Sequence, residues 1–161
     1  MFYFEVGFNE LRNDNNYKPN EAVIGLHNLD ESFVVKLFLE KTEKYSFCYF
    51  DTFLGEINLK DLLFNDGDVF GCALIIPPIN SNKLPFIYFT KNGNMIGKAI
   101  LLRDAEHVYE LVPFVGIRSC SIFRTNFGAD LFNRPFILKA LNFANMEYYG
   151  IDDWGEANKS Y

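Results

Sequence analysis

The stretch "IYFTKNGNMIGKAI", residues 87–100, decides how this chain is read. Apolar and β-branched residues stand on both sides of Asn92-Gly93-Asn94. Asn tolerates the left-handed backbone region and Gly enters it freely, so these residues supply the positive-φ positions of a tight turn. The spacing predicts an antiparallel hairpin closed by a three-residue turn.

Working outward, the neighbours are also strands broken by turn signals. Residues 69–76, "VFGCALII", are apolar on both faces, as a central strand requires. "PPINSNKLP" (77–85) holds prolines that cannot donate to a ladder and is read as a loop. Towards the N-terminus, "FYFEV" (2–6) alternates Phe2, Phe4 and Val6 against Tyr3 and Glu5, which predicts one core-facing side. Residues 7–21 are polar and Asn-rich, a loop, and "AVIGLHN" (22–28) is a second strand. "DESFVVKLFLEKTEK" (30–44) is ambiguous: Phe33 and Leu37 suit a helix capped by Asp30 or Ser32, whereas Val34-Val35 argue for a strand. "YSFCYF" (45–50) and "GEINL" (55–59) read as strands, and "NDGD" (65–68) as a tight turn. The remaining strand candidates are "YELVPFVGI" (109–117), "SIFRTNF" (121–127) and "RPFIL" (134–138). There is no internal repeat and no sustained helical period. The expectation is an all-β sandwich over residues 1–140, with 141–161 as an acidic C-terminal tail packed over the domain or fraying from it.

Composition narrows function. The chain has 161 residues, 18 Phe and 9 Tyr, with 49% hydrophobic residues, enough for a sizeable core and unlike a disordered segment. Fifteen basic against 21 acidic residues give a net charge of −6, which disfavours nonspecific binding to nucleic acid or anionic membrane. "MFYFEVGFNE" has no basic segment ahead of its apolar residues, unlike a secretory signal, and the apolar run 69–79 is too short to cross a bilayer. Cys48, Cys72 and Cys120 form no C-x-x-C pair and lie in apolar surroundings, so they are read as reduced, buried thiols of an intracellular protein.

The ordered set "YFEV" (3–6), "IGL" (24–26), "GDVFGC" (67–72), "IYFTKNGNMIGKA" (87–99), "LVPFVGI" (111–117), "RTNFG" (124–128) and "PFIL" (135–138) resembles the SPRY domain of the SPRY/B30.2 family. That resemblance spans roughly residues 2–138. It implies a bent, concanavalin-like or jelly-roll-like sandwich of two antiparallel sheets. It also implies a protein-interaction module without catalytic chemistry, cytoplasmic or nuclear, part of a larger adaptor or scaffold in ubiquitin-ligase, trafficking or chromatin complexes. The chain departs from the family pattern at "KLFLEKTEK", at "DTFLG" (51–55) and at the lengthened 77–85 connection, so ligand specificity does not carry over.

On the family's pattern the partner-binding positions match Tyr17, Lys18, Pro19 and Asn20 after the first strand, Arg118 and Ser119 after "FVGI", and Tyr49 on "YSFCYF". Tyr and Arg commonly anchor interfaces because they join large contact area to directed hydrogen bonds. The expected ligand is a protein or short peptide. A lectin-like carbohydrate module is the alternative, since similar sandwiches bind sugars and aromatics stack on them. No catalytic residue, cofactor or metal is expected. Asp66 and Asp68 lack the alternating oxygen ligands of a cation loop. His107 has no nucleophile beside it, His27 sits at a strand end where a hydrogen bond would hold it, and Ser119-Cys120-Ser121 has no base partner.

Overall fold

The computed structural model describes residues 1–10, 19–29, 33–42, 46–52, 55–78, 80–103, 105–139 and 145–154. Ten strands follow in chain order: β1 (Phe2–Glu10), β2 (Asn20–His27), β3 (Val34–Lys41), β4 (Ser46–Thr52), β5 (Gly55–Asn58), β6 (Val69–Ile75), β7 (Phe86–Lys91), β8 (Asn94–Leu101), β9 (Val112–Arg118) and β10 (Cys120–Asn126). They form two five-stranded antiparallel sheets packed face to face. The first has the order β10-β1-β6-β7-β8, the second β5-β4-β3-β2-β9. Among the described residues helical structure is limited to short 3-10 turns, and no helix is long and apolar enough to cross a membrane.

The core lies between the inner faces. Phe4, Val6, Phe8, Phe70, Cys72 and Phe89 of the first sheet meet Ile24, Leu26, Leu37, Leu39 and Phe50 of the second. Within the ambiguous 30–44 stretch, Val34–Lys41 form strand β3. Val35, Leu37 and Leu39 point inward while Lys36, Phe38 and Glu40 are only half-buried, and that period of two admits no helix.

The hairpin is tighter than its sequence predicts. Asn92 (φ 49°) and Gly93 (φ 80°) are the whole loop, and Lys91 pairs with Asn94, which already belongs to β8. Two positive-φ residues in succession give the turn whose twist matches that of the flanking strands. The turn is tied to the start of β6. Asp68 accepts from the Asn92 side-chain amide (2.8 Å) and the Asn65 N–H (2.8 Å) and pairs with Lys91 at 2.7 Å. The Asn92 carboxamide oxygen accepts from the Val69 N–H at 2.9 Å. "GDV" and "KNG" are thus two halves of one hydrogen-bonded junction.

The outer face of the first sheet is covered, which corrects two expectations. Tyr3 and Glu5, read as the solvent side of β1, are buried beside Ala73, Phe86, Tyr88 and Ala99, under Phe136, Leu138, Met146 and Tyr148. Residues 134–138 form no strand: the segment runs over the sheet's face, where Phe136 and Leu138 pack, instead of joining its edge. Glu5 holds that segment down. Its carboxylate is fully buried, accepts from the Ile137 N–H at 2.7 Å and the Tyr3 hydroxyl at 3.2 Å, and lies 3.4 Å from the Arg124 guanidinium. Lys139 N–H donates to the Gly93 carbonyl at 3.0 Å. The described part of the tail is packed. Ala99 N–H donates to Glu147 O and Tyr149 N–H to Ala99 O, and Tyr149 wedges edge-on against Phe50.

Candidate functional site

The second sheet turns a different outer face to solvent. Alternation sends Glu21, Val23 and His27 of β2 outward, with Lys36, Phe38 and Glu40 of β3, Phe47, Tyr49 and Asp51 of β4, Glu56 and Asn58 of β5, and Phe114 and Arg118 of β9. Register lines them up in rows. Val23, Phe38, Tyr49 and Asn58 stand side by side, as do Glu21, Glu40 and Phe47 in the next row. The Phe38 and Tyr49 ring centroids are 4.9 Å apart and those of Phe47 and Tyr49 are 5.3 Å apart, a continuous aromatic band.

Most of the positions proposed from sequence meet at one corner of this face. Asn20 opens β2, and its neighbour Glu21 pairs with Arg118, the last residue of β9. Ser119 (φ 53°) is the single residue that passes the chain from β9 in the second sheet to β10 in the first. Tyr49 lies on the same face three strands from Arg118, a separation of about 14 Å at the usual strand spacing. Pro19 precedes the corner, and Asn20 Oδ1 is buried there without a hydrogen-bond partner. Tyr17 and Lys18 lie outside the described residues. Arg118 is 68% exposed, yet its guanidinium is engaged, 3.1 Å from the Glu21 carboxylate.

The electrostatics of the face converge on Tyr49. Burial, followed by the carboxylates of Glu56, Asp51, Glu40 and Glu21, pushes its phenol up to about 12. Among the described residues two cations share the surface, and both are held by acids: Lys36 lies 2.8 Å from Asp51, and Arg118 is held by Glu21. At the far end, His27 meets Phe114 edge-on at 5.2 Å, and these rings with Val34 and Lys36 line a hollow of about 270 Å³.

Other chemistry is poorly provided for. Cys120 is buried and its thiol is pushed up to about 11 by burial and then by Glu10 and Glu21, so it is not a ready nucleophile. Asp66 accepts from the Glu10 N–H and Asp68 belongs to the hairpin junction. Among the described residues no group of His, Cys, Asp or Glu is placed to hold a metal ion. The His107 side chain lies outside the described residues.

Sequence reasoning named Tyr49 and the corner residues but did not name Phe38, Phe47 or the four carboxylates around them. The signal was present: in 34–41 and 46–51 the positions that alternate with the core residues are aromatic or charged. No family model matches the chain, and no curated protein and no solved structure matches it either.

Proposed function

We propose that this chain is a non-enzymatic protein-interaction module that receives a protein or short peptide segment on the outer face of the second sheet. One observation carries the reading: the two outer faces are finished differently. The first is covered over β1, β6, β7 and β8 by residues 135–139 and 145–149, which bury Tyr3, Phe86 and Tyr88, whereas among the described residues no segment covers the band of Phe38, Phe47 and Tyr49. A rigid sheet that displays adjacent aromatic side chains offers large contact area at little loss of side-chain freedom, as interface centres do. The resemblance to the SPRY family in the ordered motifs from "YFEV" to "PFIL" supports the same reading, with the corner of Asn20, Arg118 and Ser119 as its rim. Three buried free thiols suit a reducing compartment, and hence an intracellular adaptor.

The test is a random decapeptide library and a glycan array probed in parallel with the wild-type chain and with Phe47→Ser/Tyr49→Ser. Peptide capture that falls at least tenfold in the double variant, with its unfolding transition still cooperative, is the expected result. Capture of glycans in place of peptides, or peptide capture indifferent to the double variant, would overturn the assignment.

A further inference from the structure

We infer that the aromatic band selects partner segments carrying Arg or Lys side chains, because the groups around it are complementary to cations. This rests on the protein-interaction reading of the same face and adds the chemistry of its partner. Among the described residues, Glu21, Glu40, Asp51 and Glu56 all project from this side of the sheet, against Lys36 and Arg118. Register places them on both flanks of the aromatic row. Glu21 and Glu40 stand one row to one side of Tyr49, and Asp51 and Glu56 one row to the other.

A guanidinium laid on Tyr49 or Phe38 would gain cation–π attraction from the ring. Its five donors would meet carboxylate oxygens from either flank, in bonds about twice as strong as neutral ones. The raised phenol of Tyr49 reports the same field, since the same four carboxylates contribute to it after burial. A phosphate or an acidic side chain in that position would meet net repulsion, four carboxylates outweighing Lys36 and Arg118. Arg118 is the resident version of the proposed guest: a guanidinium on this face already 3.1 Å from Glu21. It therefore competes with an incoming cation for Glu21, and the sign of its removal is diagnostic.

The experiment uses the random decapeptide library with the full chain, at about 50 mM and 500 mM salt, followed by titration of the most enriched peptide. Captured peptides should be enriched in Arg and Lys over Asp and Glu, and capture should weaken severalfold at the higher salt. Glu56→Gln, at an exposed edge position, should weaken binding about threefold or more, and Arg118→Ala should strengthen it by a similar factor. Neither change removes a core contact, and a thermal melt of each variant checks the fold. Enrichment of acidic or uncharged peptides, or weaker binding by Arg118→Ala, overturns the charge selection while leaving a peptide-binding face in place. No peptide capture at all overturns both this inference and the interaction reading beneath it.

Discussion

Two glycines with nearly the same backbone provide a controlled experiment on what holds the C-terminal segment. Gly67 has φ 79° and open space where a Cβ would stand, whereas Gly93 has φ 80° and a Cβ there would overlap the Ile137 carbonyl. Gly67→Ala should therefore show left-handed backbone strain alone, about 1–2 kcal/mol. Gly93→Ala carries the same strain and must also push residues 137–139 off the turn. That breaks the Lys139 N–H to Gly93 carbonyl bond, worth about 0.5–1.5 kcal/mol. It also bares part of the half-buried Ile137 and Leu138 side chains, at about 1 kcal/mol. The difference between the variants should be about 2 kcal/mol. With a urea slope of about 2 kcal/mol per molar, Gly93→Ala should lower the unfolding midpoint by about 1 M more than Gly67→Ala. Amide exchange at Ile137 and Lys139 should accelerate only in Gly93→Ala. Equal midpoint shifts, with Ile137 exchange unchanged, would refute the claim that this turn is the dock for the segment.

Glu5→Ala should destabilise the fold by about 2–4 kcal/mol, because it strands the buried Ile137 N–H and removes the acid beside Arg124; an unchanged urea midpoint would remove Glu5 from its role as anchor. The three thiols should resist a disulfide reagent at pH 8 in the native state and all react in denaturant, since each is buried and burial raises the pKa of each; a fast native reaction would contradict that burial. Alkaline pH should weaken the fold. The phenols of Tyr49 and Tyr88 are raised to about 12 and that of Tyr3 is also raised, so they stay protonated when folded, while the unfolded chain ionises near 10. Stability is thus complete below pH 10 and declines as pH rises through the folded values, checked by urea midpoints from pH 8 to 11 alongside tyrosinate absorbance.

The sandwich was legible where local pattern and tertiary demand agree. Residues 69–76 are apolar on both faces because β6 is central and both sides of its sheet are buried, and Asn92-Gly93 could serve no purpose but a turn. Reading failed where burial came from a distant segment. Glu5 and Tyr3 look like the wet side of β1, and only the passage of Phe136, Ile137, Leu138, Met146 and Tyr148 over this sheet makes that side dry. Periodicity reports which positions alternate, not what later covers them. The same blindness applies to "RPFIL", whose composition suits a strand but whose place in space is across a sheet already five strands wide. At the candidate site, Tyr49 and Arg118 came from motif position, whereas the carboxylates flanking Tyr49 belong to four different strands and are assembled by register alone.

Strand β1 has a consequence for how the molecule is made. Its two partners are β6, where Phe4 faces Cys72, and β10, where Glu5 faces Asn126, so the first strand of this sandwich to be synthesised waits for nearly all the strands that follow. During that interval "FYFEVGF" is an apolar strand with two open edges, and pairings across such sequence distances form slowly. Hairpins β3–β4 and β7–β8 can close meanwhile, since their halves are neighbours in the chain. Synthesis therefore lets β2–β5 and β6–β8 pair before β1 has both partners, and the nascent chain is vulnerable to aggregation until Asn126 has cleared the exit tunnel. A chaperone that shields the first ten residues would act on the step at which this fold is most exposed.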